Sequence, residues 1–163
     1  MNAVALRTER ALVDWLAAQD WSASPLGTPT CLTSYGHGAF ADPDLEDQMP
    51  DFPRIVVRSS TAVPVHPIDR TCEVDVTATL QLSADDTPEY NVLATVAAFE
   101  DILQPLFVDD NISELNAGEY NPSGGFVAYF ATPTDFGMND TSERARTFSR
   151  SMRIFAAANA ITT

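Results

Sequence analysis

The sequence contains no lysine, and arginine supplies all nine of its basic residues. Acidic residues number 23, so the formal net charge is −14 at pH 7. A broad nucleic-acid interface needs many basic side chains to neutralise phosphates, so this balance argues against one. The acidity fits enhanced solubility or a salt-adapted source, docking to a basic partner, or a surface that repels DNA passing close by.

Cysteine is scarce as well, and its two positions, Cys31 and Cys72, have no metal-ligand spacing. Nothing selects a disulfide over two thiols, although Cys72 stands at an apolar position typical of a buried thiol. The chain shows no secretory signal and no run of about 20 apolar residues that would cross a membrane. We therefore expect a soluble intracellular product, folded as a single domain over residues 1–163.

Signatures of catalysis are missing too. The two histidines, His37 and His66, fall in predicted loops without a cooperating serine, cysteine or second histidine, and such histidines are usually just exposed. No serine–histidine–acid set, zinc-ligand spacing or dinucleotide loop is present. The sequence predicts no catalytic residue, no metal site and no cofactor.

A long irregular connection, rich in proline, glycine and acidic residues, is predicted at about residues 21–52. Connections longer than about 15 residues are often functional. A calcium loop would need glycine at its sixth position and glutamate at its twelfth, but counting from Asp42 gives Asp47 and Pro53. A short strand at Thr30–Tyr35 is predicted to interrupt the connection, and its acidic cluster comprises Asp42, Asp44, Glu46 and Asp47.

The clearest pattern in the chain is a strict alternation of apolar and polar residues from Thr71 to Leu82. Side chains alternate faces along a strand, so the alternation predicts a long strand with one dry face and one wet face. Glu73 and Asp75 share the wet face. Without an acid/base partner, two carboxylates at this spacing indicate a solvated surface rather than a catalytic pair.

Two helices and several further strands complete the predicted fold. The first helix covers residues 2–19, with Leu12 and Leu16 stacked and with Arg7, Glu9, Arg10 and Asp14 facing water. The second has Thr87 as its N-cap, Pro88 in its first turn and an end at Pro105, and Leu93 and Ile102 widen its apolar stripe. The remaining predictions are strands at Arg54–Arg58, Ile112–Leu115, Phe126–Ala131 and Arg144–Ala158, a connection at 59–70, and a turn at Pro133–Asn139.

This order predicts an α+β fold: a mostly antiparallel sheet of about four to five strands, with the N-terminal helix and the second helix packed on one face. Arg54–Arg58 and the long strand follow one another, so we expect them to pair antiparallel. Phe126–Ala131 is apolar on both faces, which predicts a strand that is central or covered by a neighbouring subunit.

Four of the nine arginines fall in the closing strand. In so acidic a chain, we expect them to pair with carboxylates, within the fold or across an interface. A nucleic-acid patch is the alternative, and the surrounding negative charge weighs against it. These residues are Arg144, Arg146, Arg150 and Arg153.

The arrangement as a whole resembles that of the tail terminator (tail completion) and related neck proteins of long-tailed bacteriophages. The resemblance is one of architecture, without a diagnostic short motif, and the long connection at about 21–52 departs from it. The matching features are a helix containing Leu12–Leu16, a strand introduced by Pro53, the alternating strand Cys72–Leu82, the turn Asp85-Asp86, the helix Asn91–Leu106 and the closing strand Arg150–Phe155.

The resemblance implies a structural virion protein of the tail or neck, made in the host cytoplasm. Such a protein forms a homo-oligomeric ring, commonly of six subunits, that stops tail-tube growth and joins the tail tube protein to the head–tail connector or adaptor. DNA passes through the ring without specific binding. The channel or assembly surface would then draw on the acidic cluster, on Glu73 and Asp75, and on the four arginines of the closing strand.

Two other classes of function stay open. One is a different virion role, as another head–tail adaptor or a minor tail or baseplate component. The other is a small cellular domain that binds a ligand, or catalyses a reaction, in a pocket between the second helix and the sheet.

Overall fold

The fold is built on one sheet with two helices, and the α+β class predicted from the sequence is confirmed. The computed structural model describes residues 3–33, 52–60, 62–66, 71–83, 88–108, 112, 115, 126–139 and 145–158. Its strands are β1 (Thr30–Thr33), β2 (Arg54–Ser59), β3 (Val63–His66), β4 (Thr71–Ser83), β5 (Phe126–Asn139) and β6 (Ala145–Ala158), and its helices are α1 (Ala3–Ala17) and α2 (Glu89–Leu103).

The six described strands form a mixed sheet in the order β1-β2-β4-β6-β5, and β3 pairs with β4 beyond the end of β2. The antiparallel pairing of β2 with β4 is confirmed. In detail the sheet is larger than the predicted four to five strands, and it contains one parallel pair, β1 with β2. The parallel pair lies at one edge, where a long connection separates the two strands in sequence.

Strand β4 lies at the centre of this sheet, with β2 and β3 along one side and β6 along the other. Its even-numbered side chains are buried, and they include Val74, Ala78 and Leu80 at 0% exposure. The β4–β6 register runs without interruption from Cys72 opposite Ala156 to Ser83 opposite Ala145. The alternation of residues 71–82 therefore produces the predicted dry and wet faces.

Both helices pack on the dry face. Leu12 and Leu16 of α1 and Phe99 and Leu103 of α2 belong to the same core cluster as the even-numbered residues of β4. Trp21 follows α1 and is buried, and its indole Nε1 donates a hydrogen bond of 2.9 Å to the Leu16 carbonyl. The same carbonyl also accepts from the Gln19 backbone N–H at 3.3 Å, so the indole adds a second hydrogen bond at the helix end.

The ends of α2 differ slightly from the prediction. Pro88 stands at the N-cap position rather than within the first turn, and no side chain caps the helix. Thr87 lies outside the described residues. The α-helix ends at Leu103, and a 3₁₀ helix at Gln104–Phe107 carries Pro105 near its start, where a missing N–H costs little.

Several predictions for the strands and their connections are wrong. Residues 133–139 form part of β5 instead of a turn, since β5 is an edge strand and an edge strand tolerates proline. Among the described strands β5 lies at the edge, so Phe126–Ala131 is not central within that part of the sheet. Ile112 and Leu115 have 3₁₀ rather than strand backbone, and residues 63–66 of the predicted connection form β3.

The prediction that Glu9 of α1 faces water is wrong, because Glu9 is fully buried at 0% exposure. Its carboxylate Oε2 accepts hydrogen bonds from the Ser59 hydroxyl at 2.8 Å and from the Ser59 backbone N–H at 3.2 Å. A buried carboxylate needs such donors to offset its loss of hydration. Glu9 therefore ties α1 to the end of β2. Arg7, Arg10 and Asp14 are half-buried.

We predict that Glu9→Ala lowers the free energy of unfolding by about 2 kcal/mol or more, because it leaves the buried donors of Ser59 unpaired. Urea denaturation followed by circular dichroism measures the change. Asp135→Ala, at an exposed position of β5, is the control and should stay within about 0.5 kcal/mol of the wild type. Equal stability of the Glu9 variant and the control would contradict the anchoring role.

Both cysteines are free thiols. Burial raises the pKa of Cys31 to about 12 and also raises the pKa of Cys72. A raised thiol pKa favours the protonated form, and the thiolate is the form that reacts with disulfide reagents.

We predict that neither thiol reacts readily with a disulfide reagent in the native protein at pH 8, because both remain protonated and shielded. Two thiols per chain should react quickly once urea unfolds the protein. Absorbance of the released chromophore gives both counts. Rapid native labelling would contradict the burial, and no labelling in urea would reveal a disulfide.

Candidate assembly surface

On the wet face of the sheet, hydroxyl groups of β4 and β6 form a ladder of cross-strand pairs. The β4–β6 register places Thr77 opposite Ser151 and Thr79 opposite Ser149. Each pair joins its hydroxyl groups by a hydrogen bond of 3.0 Å. Each bond uses the hydrogen of one hydroxyl, so every pair is joined internally and the second hydroxyl hydrogen of the pair can still donate outward.

A groove of about 320 Å³ lies on this wet face, along β2 and β4. Arg58 stands opposite Thr77 in the antiparallel register, and Val56 stands opposite Thr79. Val56 is only 5% exposed, whereas Arg58 is exposed. The groove is lined by Val56, Arg58, Thr77, Thr79 and Gln81, and we call it the open-face groove.

One end of the groove is fixed by a buried polar pair. The Arg54 guanidinium donates from Nε to the Gln81 side-chain oxygen and lies 4.4 Å from the centroid of the Phe52 ring. Both Arg54 and Gln81 are buried. Arg54 and Gln81 are bonded to each other. Arg58 is therefore the charged residue of the groove lining that can pair with a group outside its own chain. Within the described chain, Arg58 has no hydrogen bond or ion pair.

Next to the groove, the sheet carries an acidic pair bound by one arginine. Arg153 donates from Nε to Asp75 at 2.9 Å and lies 3.7 Å from the Glu73 carboxylate. The hydrogen bond to Asp75, and then the negative charges of Asp75 and Glu73, raise the pKa of Arg153. Glu73 and Asp75 thus form a partly neutralised, exposed cluster, as expected for a solvated surface.

Arg150 lies on the opposite face of the sheet from Arg153. It stands opposite Ala78 in the register, and its guanidinium makes a two-pronged contact with the Glu100 carboxylate of α2, with Nε 3.1 Å from Oε1. The Phe136 ring centroid lies 5.2 Å away. Arg150 therefore fastens α2 to the sheet. Of the four arginines predicted to pair with carboxylates, Arg150 and Arg153 do so within the fold.

The structure brings together only some of the residues predicted to form a channel or assembly surface. Glu73, Asp75 and Arg153 share the wet face, whereas Arg150 points to α2. Arg146 stands opposite Leu82, on the same face as Arg150, and is half-buried. Arg144 and the acidic cluster Asp42, Asp44, Glu46 and Asp47 lie outside the described residues.

Helix α2 exposes an apolar ridge that the sequence prediction missed. Tyr90 is 78% exposed and Leu93 is 57% exposed, and Ala97 and Asp101 continue the same exposed line. Leu93 was expected to widen the buried stripe, but α2 buries only its other side, including Val92, Phe99 and Leu103. We call Tyr90, Leu93, Ala97 and Asp101 the α2 ridge.

The described residues show no constellation that indicates metal chemistry or membrane insertion. Within the ranges of the chain that the structure describes, no three histidine, cysteine, aspartate or glutamate side chains gather as metal ligands. None of the described helices is long and apolar enough to span a bilayer.

A scan of the sequence against known protein families finds no match, and neither does a search of curated proteins.

We predict that the two arginine pairs of β6 differ in strength. A double-mutant cycle on Arg150 and Glu100, each changed to Ala, should give a coupling of about 1 kcal/mol or more, because the contact is two-pronged and partly shielded from solvent. The same cycle on Arg153 and Asp75 should give a smaller coupling that 1 M salt removes. Urea denaturation measures both, and equal couplings with equal salt dependence would contradict the prediction.

Proposed function

We propose that this protein is a structural subunit that assembles into a ring, in the role of a tail terminator of long-tailed bacteriophages. The observation that carries the proposal is the α2 ridge, where Tyr90 and Leu93 are 78% and 57% exposed beside each other. Large exposed apolar side chains that lie beside each other are a feature of surfaces that bind other proteins. In the proposed role, the covering protein is the next subunit of the ring.

The charge of the chain supports the DNA-conducting part of the proposal. With a net charge of −14, a ring of several copies would carry a large negative charge, and like charge keeps DNA from binding to the channel wall. Asp75, which is exposed, and Glu73, which is half-buried, lie on the wet face and are the described residues most suited to such a lining. The ends of the ring would meet the tail tube protein and the head–tail connector or adaptor.

A ligand-binding or enzymatic domain with a pocket between α2 and the sheet has less support. Phe99 and Leu103 of α2 are fully buried where that pocket would lie, and Arg150 and Glu100 join across the same boundary. The open-face groove lies on the other side of the sheet.

We expect the purified protein to form rings, visible by negative-stain electron microscopy, with a mass close to six subunits by analytical ultracentrifugation. Adding tail tube protein should favour capped tubes of limited length. A protein that stays monomeric at high concentration, and in the presence of tail tube, would overturn the proposal. Rings that bind neither tail tube nor connector would instead indicate another role for an assembled particle.

We predict that Leu93→Glu prevents assembly while it leaves the subunit folded. The side chain is largely exposed in the single chain, so its loss should change the melting temperature by no more than a few degrees. A charge buried in an interface, by contrast, is strongly unfavourable. Ala17→Glu, which adds the same charge at an exposed position of α1, is the control and should assemble normally. Rings formed equally by both variants would exclude the α2 ridge from the interface.

A further inference from the structure

We infer that the α2 ridge of one subunit docks into the open-face groove of the next copy of this chain, with Asp101 meeting Arg58. The inference rests on the proposed ring, and it names the two surfaces that make the contact between neighbours. Each surface consists of described residues, and every chain carries both surfaces.

The ridge has the form of a helix face that inserts into a groove. Tyr90, Leu93, Ala97 and Asp101 recur at intervals of three and four residues, which places them along one side of α2. The line is about 16 Å long at 1.5 Å per residue. Large side chains stand at its start, a small one follows, and a carboxylate ends it. Spaced apolar anchors of this kind are how helices are recognised in grooves.

The open-face groove combines an apolar floor with hydroxyl groups that already share hydrogen bonds. Thr77 and Thr79 are bonded to Ser151 and Ser149, so one hydrogen bond of each pair persists when an apolar neighbour displaces water. Val56 forms an apolar floor. Burial of polar groups is costly chiefly when they remain unpaired, and here each hydroxyl pair keeps its internal hydrogen bond.

The charges select the orientation of the contact. Arg58 is exposed and, within the described chain, has no ion pair or hydrogen bond; the same holds for Asp101 at the end of the ridge. Two copies that each carry a net charge of −14 repel each other on average. Close approach is therefore favoured where an unpaired positive side chain meets a negative one. Arg58 is such a point, because Arg153 and Arg150 are already paired within the fold.

The two surfaces lie on opposite sides of the domain. The α2 ridge points away from the sheet on the helix side, and the groove lies on the sheet face that no described helix covers. A contact between different surfaces of identical chains is head-to-tail, and it continues until a ring closes. This arrangement is the one that a ring-forming subunit needs, whereas a two-fold dimer would use one surface twice.

Charge reversal at either partner tests the contact directly. We expect Arg58→Glu and Asp101→Arg each to weaken self-association about tenfold or more, since each places like charges across the interface. Sedimentation velocity over a concentration series measures the association, and circular dichroism confirms that each variant is folded. Asp135→Arg, which makes the same change as Asp101→Arg on exposed β5, is the matched control and should assemble like the wild type.

Mixing the two variants gives the decisive result. In a mixture of Arg58→Glu and Asp101→Arg chains, alternating subunits form one native contact and one contact with both charges reversed, so every interface is attractive again. Rings should return in the mixture, and also in the chain that carries both substitutions. If wild-type rings form and the folded single variants form them equally well, or if mixing restores nothing, this contact is overturned while the ring stands. If the wild type forms no ring, the proposed function fails instead.

Discussion

The uninterrupted pairing of β4 with β6 is the constraint on which the rest of the fold depends. It fixes, residue by residue, which side chains face the helices and which face away. The even-numbered residues of β4 and their partners form a dry face, and both helices bury their apolar sides against it. The odd-numbered residues are left to build a surface from hydroxyls and charges. A shift by one residue would exchange the two faces, so the register is as much a functional constraint as a structural one.

The same register places Arg150 and Arg153 of β6 on opposite faces of the sheet. Arg150 and Arg153 are three positions apart, so they point to opposite faces of a strand. Arg150 holds Glu100 of α2 on the helix face, and Arg153 holds Asp75 and Glu73 on the wet face. The predicted pairing with carboxylates is thus found for Arg150 and Arg153, on opposite faces of the sheet. The alternation was visible in the sequence, but the partner strands that supply the carboxylates were not.

The sequence predicted the periodic elements well and the edges of the sheet poorly. The alternation from Thr71 to Leu82 gave β4 nearly to the residue, because burial of one face imposes a period of two. Proline disrupts internal strands, so Pro133 predicts a turn. It lies in an edge strand instead, where the backbone N–H that proline lacks is not needed for pairing. Leu93 was assigned to the core because it is apolar and lies near the buried stripe. Only the packed structure shows that α2 buries one side and exposes the other.

The apolar exposed side of α2 could offset the repulsion that the negative charge of the chain causes between copies. A uniformly negative surface opposes self-association, so a protein of this charge that assembles needs local features strong enough to offset the repulsion. Apolar burial by Tyr90 and Leu93 does not depend on charge, and Arg58 is a positive charge that no described residue of its own chain neutralises. Together these features allow specific contact at one place while the remaining surface stays repulsive. In the proposed ring, acidity and assembly are therefore compatible, because the excess negative charge would limit association to the geometry in which the ridge and the groove meet.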